Sequence, residues 1–251
     1  MSELVYLKLR QTALKTAALL NVPLFYRNHK AEIELADVSL RTNSLIKQCR
    51  TYLNPETMGC GHGMEHSEAV ALDAGAIIQA ESRIRNIDRE EAGRLIVYAE
   101  ISGLLHDIRR TERDHAIAGS NEARKILNAF QIEDRYKRYI VAAIRNHEAF
   151  KEVAESEDAT ARLIADSLYD ADKFRWGPDN FTKTLWLLLD STNMPLEALF
   201  EHFMENLRYI EQIKETFRTE TGKRYGPEII DTGIAIGNAI YNEMAFILNS
   251  M

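Results

Sequence analysis

Cysteine is nearly missing from this chain, with two, Cys49 and Cys60, in 251 residues. That is too few to staple a small secreted domain, and it suits a reducing cytoplasm. Proline is scarce at five, and no stretch rich in Gly, Ser and Pro divides the chain, so one domain over residues 1–251 is expected. No segment approaches the roughly 20 apolar residues that a bilayer demands, which argues against a membrane partner. The opening, MSELVYLKLRQTALKTAALLNV, carries charges every few residues and lacks the apolar stretch of a signal peptide, so a cytoplasmic location is expected. Positive charge is not in excess. The formal net charge is -7, which disfavours nucleic acid as a partner but not a small anion held by a metal and a few local cations. Strand-like alternation and hairpin dipeptides are absent too, as are internal repeats.

What is present is ordinary globular composition, 45% hydrophobic and 27% charged, arranged with helical spacing. The prolines, Pro23, Pro55, Pro178, Pro195 and Pro227, stand at plausible breaks between helices. After Pro195 the apolar positions are Leu196, Leu199, Phe200, Phe203, Leu207, Ile210 and Ile213, whose steps of three and four place them on one helix face. Ile229 to Ile247 repeats the pattern. The reading is all-α, with about eight to ten helices.

Histidine carries the chemical signal. Five of the seven, His62, His66, His106, His115 and His147, fall between positions 62 and 147. A lone histidine is usually a hydrogen-bonded core or surface residue, so the cluster has to be weighed together. His66 shares a helix face with Val70, Ala74 and Ile77, and His147 with Ile140 and Ile144. His115 lines up with Gly119 and Ala123, small residues that permit close approach. Three imidazoles thus project from apolar faces, and burying them without partners is costly. A shared metal satisfies them, as water or backbone partners also would. His106 and Asp107 close the apolar segment AEISGLLHD; neighbours about 100° apart reach one ion only near the end of a helix. Cys60, close to His62, reads as a buried or loop thiol rather than a ligand.

EHSEAV at 65–70, SGLLHDI at 102–108 and YDADKF at 169–174 are similar to the H…HD…D signature of the HD superfamily of metal-dependent phosphohydrolases. The resemblance covers about residues 60–178, leaving 1–59 and 179–251 as accessory helices around an HD-type bundle. GHGMEHSEAV also resembles the opening of small bacterial HD hydrolases, where a histidine four residues before the ligand, here His62, is common. FRTETGKR at 217–224 is similar to their tail. The resemblance implies a metal held by His66, His106, Asp107 and a further aspartate. Asp172 aligns with Leu168, Ala165 and Ala161 and occupies the Ala-Asp position of the motif. Asp170 aligns with Asp166 on a stripe that reads as solvent-facing. Asp172 is therefore the expected ligand, with Asp170 kept as a group supporting it from behind.

DHAIAG at 114–119 and IRNHEAF at 144–150 are similar to motifs of two-metal HD enzymes, one group of which cleaves dinucleoside polyphosphates. This implies that His115 and His147 hold a second ion, bridged by Asp107. The step from Asp107 to His115 is shorter than in many of those enzymes, and a mononuclear site with the two histidines as phosphate-contacting or acid/base groups is the competing expectation. The implied activity is hydrolysis of a phosphate ester or anhydride, with nucleotides as the default substrate. Asp107, His115 and His147 would be catalytic, and His62, Arg109, Arg110, Lys173 and Arg175 would contact phosphate. The metal is one or two divalent ions drawn from Mn, Fe, Mg, Zn, Co or Ni. A di-iron oxygenase of a distant HD branch and a non-catalytic nucleotide sensor are the alternatives. The sequence does not separate a monomer from a homodimer.

Overall fold

The computed structural model describes residues 2–59, 63–192 and 194–250. Among these, every regular element is helical. The α-helices are α1 (Ser2–Leu19), α2 (Leu24–Asn28), α3 (Lys30–Thr42), α4 (Ser44–Arg50), α5 (Pro55–Met58), α6 (Met64–Arg85), α7 (Arg89–Leu105), α8 (His115–Leu127), α9 (Asp134–Arg145), α10 (Ala159–Phe174), α11 (Leu185–Thr192), α12 (Leu196–Gln212) and α13 (Glu220–Asn249). A π-helical turn at Asn180–Thr184 and a 3-10 turn at Ile213–Glu215 complete the list. The all-α expectation holds. Thirteen α-helices exceed the eight to ten expected because α2, α4 and α5 are only 5, 7 and 4 residues long. Elements that short present too little of a face to show a helical period.

The α6–α7 hairpin is the centre of the molecule. Asn86 ends α6 in the left-handed region (φ 56), which asparagine tolerates, and Asp88 caps α7 by accepting from the amides of Glu90 and Glu91. The short turn lays the helices antiparallel, which returns the end of α7 to the start of α6. Gly103 makes the contact tight: a Cβ there would stand 2.5 Å from the Cα of Ala71. Both helices are buried along much of their length, and α3, α4, α9 and α10 cover them. One apolar cluster runs from Leu9 on α1 to Met244 on α13 and takes in both flanking segments. No helix among the described residues is long and apolar enough to cross a membrane.

Pro227 departs from the sequence reading. It is not a break but the eighth residue of α13, which continues past it to Asn249. A proline there removes one intrahelical donor and crowds the preceding turn. The helix persists because tertiary contacts hold it on both sides. At its start, Glu81 accepts from the amide and hydroxyl of Thr221, and Asp170 accepts from Arg218 N, Thr219 N and Thr219 Oγ1. Beyond the proline, Ile229, Ile230, Ile236 and Ile240 are buried.

Candidate metal centre

Helix ends bring the chemistry together. The hairpin sets His66, in the first turn of α6, beside His106, the residue that follows α7. A second antiparallel pair, α8 and α9, is joined by a short loop, so the first residue of α8, His115, comes back to His147 just beyond the end of α9. Gly119 lets α8 lie against the end of α7; a Cβ there would be 3.2 Å from the His106 carbonyl oxygen. Asp172 arrives from the last turn of α10.

Two groups share Asp107. In the first, His66 Nε2 lies 3.3 Å from His106 Nε2, 3.4 Å from Asp172 Oδ1 and 4.0 Å from Asp107 Oδ2. His106 Nε2 is 3.3 Å from Asp107 Oδ2 and 3.7 Å from Asp172 Oδ1. In the second, the other oxygen, Asp107 Oδ1, is 3.5 Å from His147 Nε2 and 3.6 Å from His115 Nε2. His66, His106 and Asp107 form one set of potential ligand atoms, and Asp107, His115 and His147 another.

The ring orientations bear on whether a cation fits. His106 Nδ1 donates to the Gly103 carbonyl (2.7 Å) and His147 Nδ1 to the Ile144 carbonyl (2.6 Å). A carbonyl only accepts, so Nδ1 carries a hydrogen in each ring and Nε2 faces inward. Lone pairs facing carboxylate oxygens repel unless a proton or a metal ion lies between them. Ligand atoms about 2.1 Å from one tetrahedral ion lie about 3.4 Å apart, close to the spacing of the first group. These buried His and Asp side chains can therefore hold a metal ion.

The second group already faces a cation. Arg110 Nη1 lies 2.8 Å from His115 Nε2, and Arg110 Nε lies 3.9 Å from Asp107 Oδ2. Burial and this guanidinium push the His115 pKa down to about 4, so its ring is neutral. For His106, burial disfavours the charged form, but Asp107, Asp172 and the Gly103 carbonyl outweigh it and raise the pKa. Burial alone would raise the Asp172 carboxyl; Lys173, His66 and His106 instead hold it well below the usual range. The site thus combines an ionised carboxylate, inward imidazoles and two flanking cations. That set can bind a metal and a phosphate, or move a proton.

The remaining expected residues divide. Arg110 is at the cluster, and Lys173 is buried, pairing with Asp172 Oδ2 and donating to the His147 carbonyl at 3.1 Å. Lys173 therefore ties the two groups together from behind. Arg109 pairs with Glu112 in an outer groove that Arg113, Ile117 and Lys125 also line. Arg175 is committed to Asp73, Asp179 and the Tyr26 hydroxyl. Neither guanidinium is brought to the cluster. His62 and Cys60 lie outside the described residues; Cys49 is buried, and burial raises its thiol to about 12.

Asp170 is a correction: it does not face solvent but is fully buried, holding the start of α13. His147 sits beyond α9 rather than on it, yet Ile140 and Ile144 are buried as its spacing implied. Glu148 was missed. Its Oε1 lies 4.0 Å from His115 Nδ1, and its place directly after His147 was the available signal. No protein-family model, curated protein or solved structure matches the chain.

Proposed function

We propose that the protein is a metal-dependent phosphohydrolase of the HD type, acting on a phosphate ester or anhydride of a small molecule. The observation that carries this reading is the convergence of His66, His106, Asp107 and Asp172 from the start of α6, the residues that follow α7 and the last turn of α10, with His106 Nδ1 donating to the Gly103 carbonyl. When bound, the metal would supply a water of lowered pKa and polarise a phosphoryl oxygen. The chain's own groups do the rest. Asp107 presents one oxygen to each half of the cluster, where Oδ1 can accept a proton from an attacking water. His115, kept neutral, can take that proton from Oδ1, 3.6 Å away, and pass it to the leaving oxygen. Arg110 offers its guanidinium to the phosphate. Lys173 keeps Asp172 ionised and fixes the backbone at His147.

His115, His147 and Asp107 Oδ1 would accept a second ion when Arg110 swings away from His115. The 2.8 Å contact between Arg110 and His115 favours a second reading, a single-metal site in which the guanidinium takes the place of the second cation. A panel of phosphomonoesters, phosphodiesters and anhydrides, run with Mn, Mg, Fe, Co, Ni and Zn, tests the proposal through phosphate release. Metal-dependent release that Asp107→Ala abolishes in folded protein supports it. Dioxygen consumption without phosphate release would favour the di-iron oxygenase instead, and nucleotide binding without turnover would favour a sensor.

A further inference from the structure

The loop from α9 to α10 carries His147, and other parts of the chain fasten it. Asn146 closes the loop on itself: its side chain accepts from the Ala154 amide at 3.1 Å and donates to the Ala154 carbonyl at 3.0 Å. Phe150, inside the loop, has a φ of 58, in the left-handed region that a bulky side chain rarely adopts. Such a conformation persists only where surrounding contacts over-determine it. Two of those contacts are cations on successive carbonyls. Arg218 Nη1 donates to the Asn146 carbonyl at 3.0 Å, and Lys173 Nζ donates to the His147 carbonyl at 3.1 Å.

Both cations lie over one ring. Arg218 Cζ stands 3.5 Å and Lys173 Nζ 5.0 Å from the ring centroid of the buried Tyr169. The Arg218 backbone is fixed as well, because its amide donates to Asp170 Oδ1 at 2.8 Å. Arg218 stands just before α13, beyond the residues 60–178 that carry the H…HD…D resemblance, and its side chain reaches back 72 positions to the end of α9. Unlike Arg175, it forms no ion pair among the described residues; its guanidinium is given to a carbonyl and a ring.

We propose that Arg218 is a positioning residue for the second half of the cluster. Through the Asn146 carbonyl it holds the loop so that His147 Nε2 keeps its 3.5 Å spacing to Asp107 Oδ1. The bond from His147 Nδ1 to the Ile144 carbonyl orients the ring against α9, while the carbonyls of Asn146 and His147 set the course of the backbone that carries it. The segment between α12 and α13 is then part of the site and not merely a cover for it. This rests on the hydrolase reading for what His147 does in turnover, but not for where His147 lies.

The experiment compares the full native chain with three variants. Arg218→Met keeps an apolar stem over Tyr169 and loses the donor. Arg218→Lys keeps a donor and the charge. Lys223→Met removes an exposed cation from α13 and serves as the control. Histidine ring-nitrogen NMR signals are recorded with Zn, a diamagnetic ion, present, and His147→Gln identifies those of His147. Arg218→Met should shift or broaden the His147 signals and leave those of His66 and His106 in place. Arg218→Lys and Lys223→Met should leave all of them in place. Mn-dependent hydrolysis of p-nitrophenyl phosphate and bis-p-nitrophenyl phosphate is followed in parallel. In Arg218→Met kcat should fall about ten- to hundredfold with KM near native, the scale of losing a partner that orients a ligand. Thermal unfolding checks that each variant is folded, and Arg218→Gln, with a shorter side chain, replaces the methionine variant if that one does not fold. Native His147 signals in folded Arg218→Met, or equal shifts of His66, His106 and His147, would overturn the proposal. So would a lysine variant as impaired as the methionine one. A shift confined to His147 in a chain that hydrolyses neither compound keeps the positioning role and removes the hydrolase; native turnover by Arg218→Met with unmoved signals does the reverse.

Discussion

Replacing Glu100 with glutamine should change how stability depends on pH, and the size of the change follows from where the carboxyl lies. Glu100 is fully buried on α7; Ser39 donates to its Oε2 at 2.6 Å, while Oε1 lies in the space that the missing Cβ of Gly75 leaves open. Burial pushes its pKa up to about 8, against the pull of the Ser39 hydroxyl and Arg50. The folded protein therefore holds a proton that the unfolded chain releases near the ordinary glutamate value. Stability from the protonated group is complete below about pH 4.5 and is lost as pH rises through about 8. At about 1.4 kcal/mol per unit, the shift corresponds to roughly 3–5 kcal/mol across that window. Glu100→Gln retains the acceptor for Ser39 and cannot ionise. Urea unfolding of both proteins at pH 5, 7 and 9 measures the difference, and comparing the variant with the native chain cancels other titrating groups. The variant should match at pH 5 and be the more stable by several kcal/mol at pH 9. Parallel curves at all three pH values would show that Glu100 is ionised throughout and refute the reasoning.

The two neighbouring aspartates on α10 should fail in opposite ways. Asp172→Asn should lower metal retention and turnover at nearly native stability, whereas Asp170→Asn, which weakens the acceptor of Arg218 N, Thr219 N and Thr219 Oγ1, should cost about 1–3 kcal/mol in unfolding while metal stays bound. Gly103→Ala should force α6 and α7 apart, since its Cβ would meet the Ala71 backbone at 2.5 Å; a loss of about 1–3 kcal/mol with weaker metal binding is expected from thermal unfolding and metal analysis. Lys173→Met should lift the Asp172 pKa, so that metal binding fails at a higher pH than in the native chain. A coincident pH profile would show that Lys173 does not hold that carboxylate.

Local periodicity governs the features that can be read from the sequence. The faces carrying His66, Val70, Ala74 and Ile77, or His115, Gly119 and Ala123, can be drawn from spacing alone, and all but His66, which is nearly covered, are buried. What spacing cannot supply is the long-range partner of a polar group. Asp170 and a solvent-facing aspartate look alike along a helix; the donors that make Asp170 a buried acceptor stand 48 and 49 residues away. Arg175 looked like a phosphate ligand for the same reason, because Asp73, which claims it, comes from another helix 102 residues away. Pro227 was misread because its tolerance inside α13 is decided by Glu81 and Asp170 rather than by its own neighbours. Phe150 carries no sequence signal, since its conformation belongs to the turn and not to the residue type.

Metal content decides whether the His/Asp cluster holds an ion. The native chain and Asp107→Ala, purified without chelator and reconstituted in turn with Mn, Fe, Co, Ni and Zn, would be analysed by elemental mass spectrometry after removal of loose ions. At least one tightly held ion per native chain is expected, rising to two if Arg110 yields the second half of the cluster, with loss of tight binding in a folded Asp107→Ala protein. A native chain that retains no ion under any of these conditions, or an Asp107→Ala protein that retains the native amount, would contradict it.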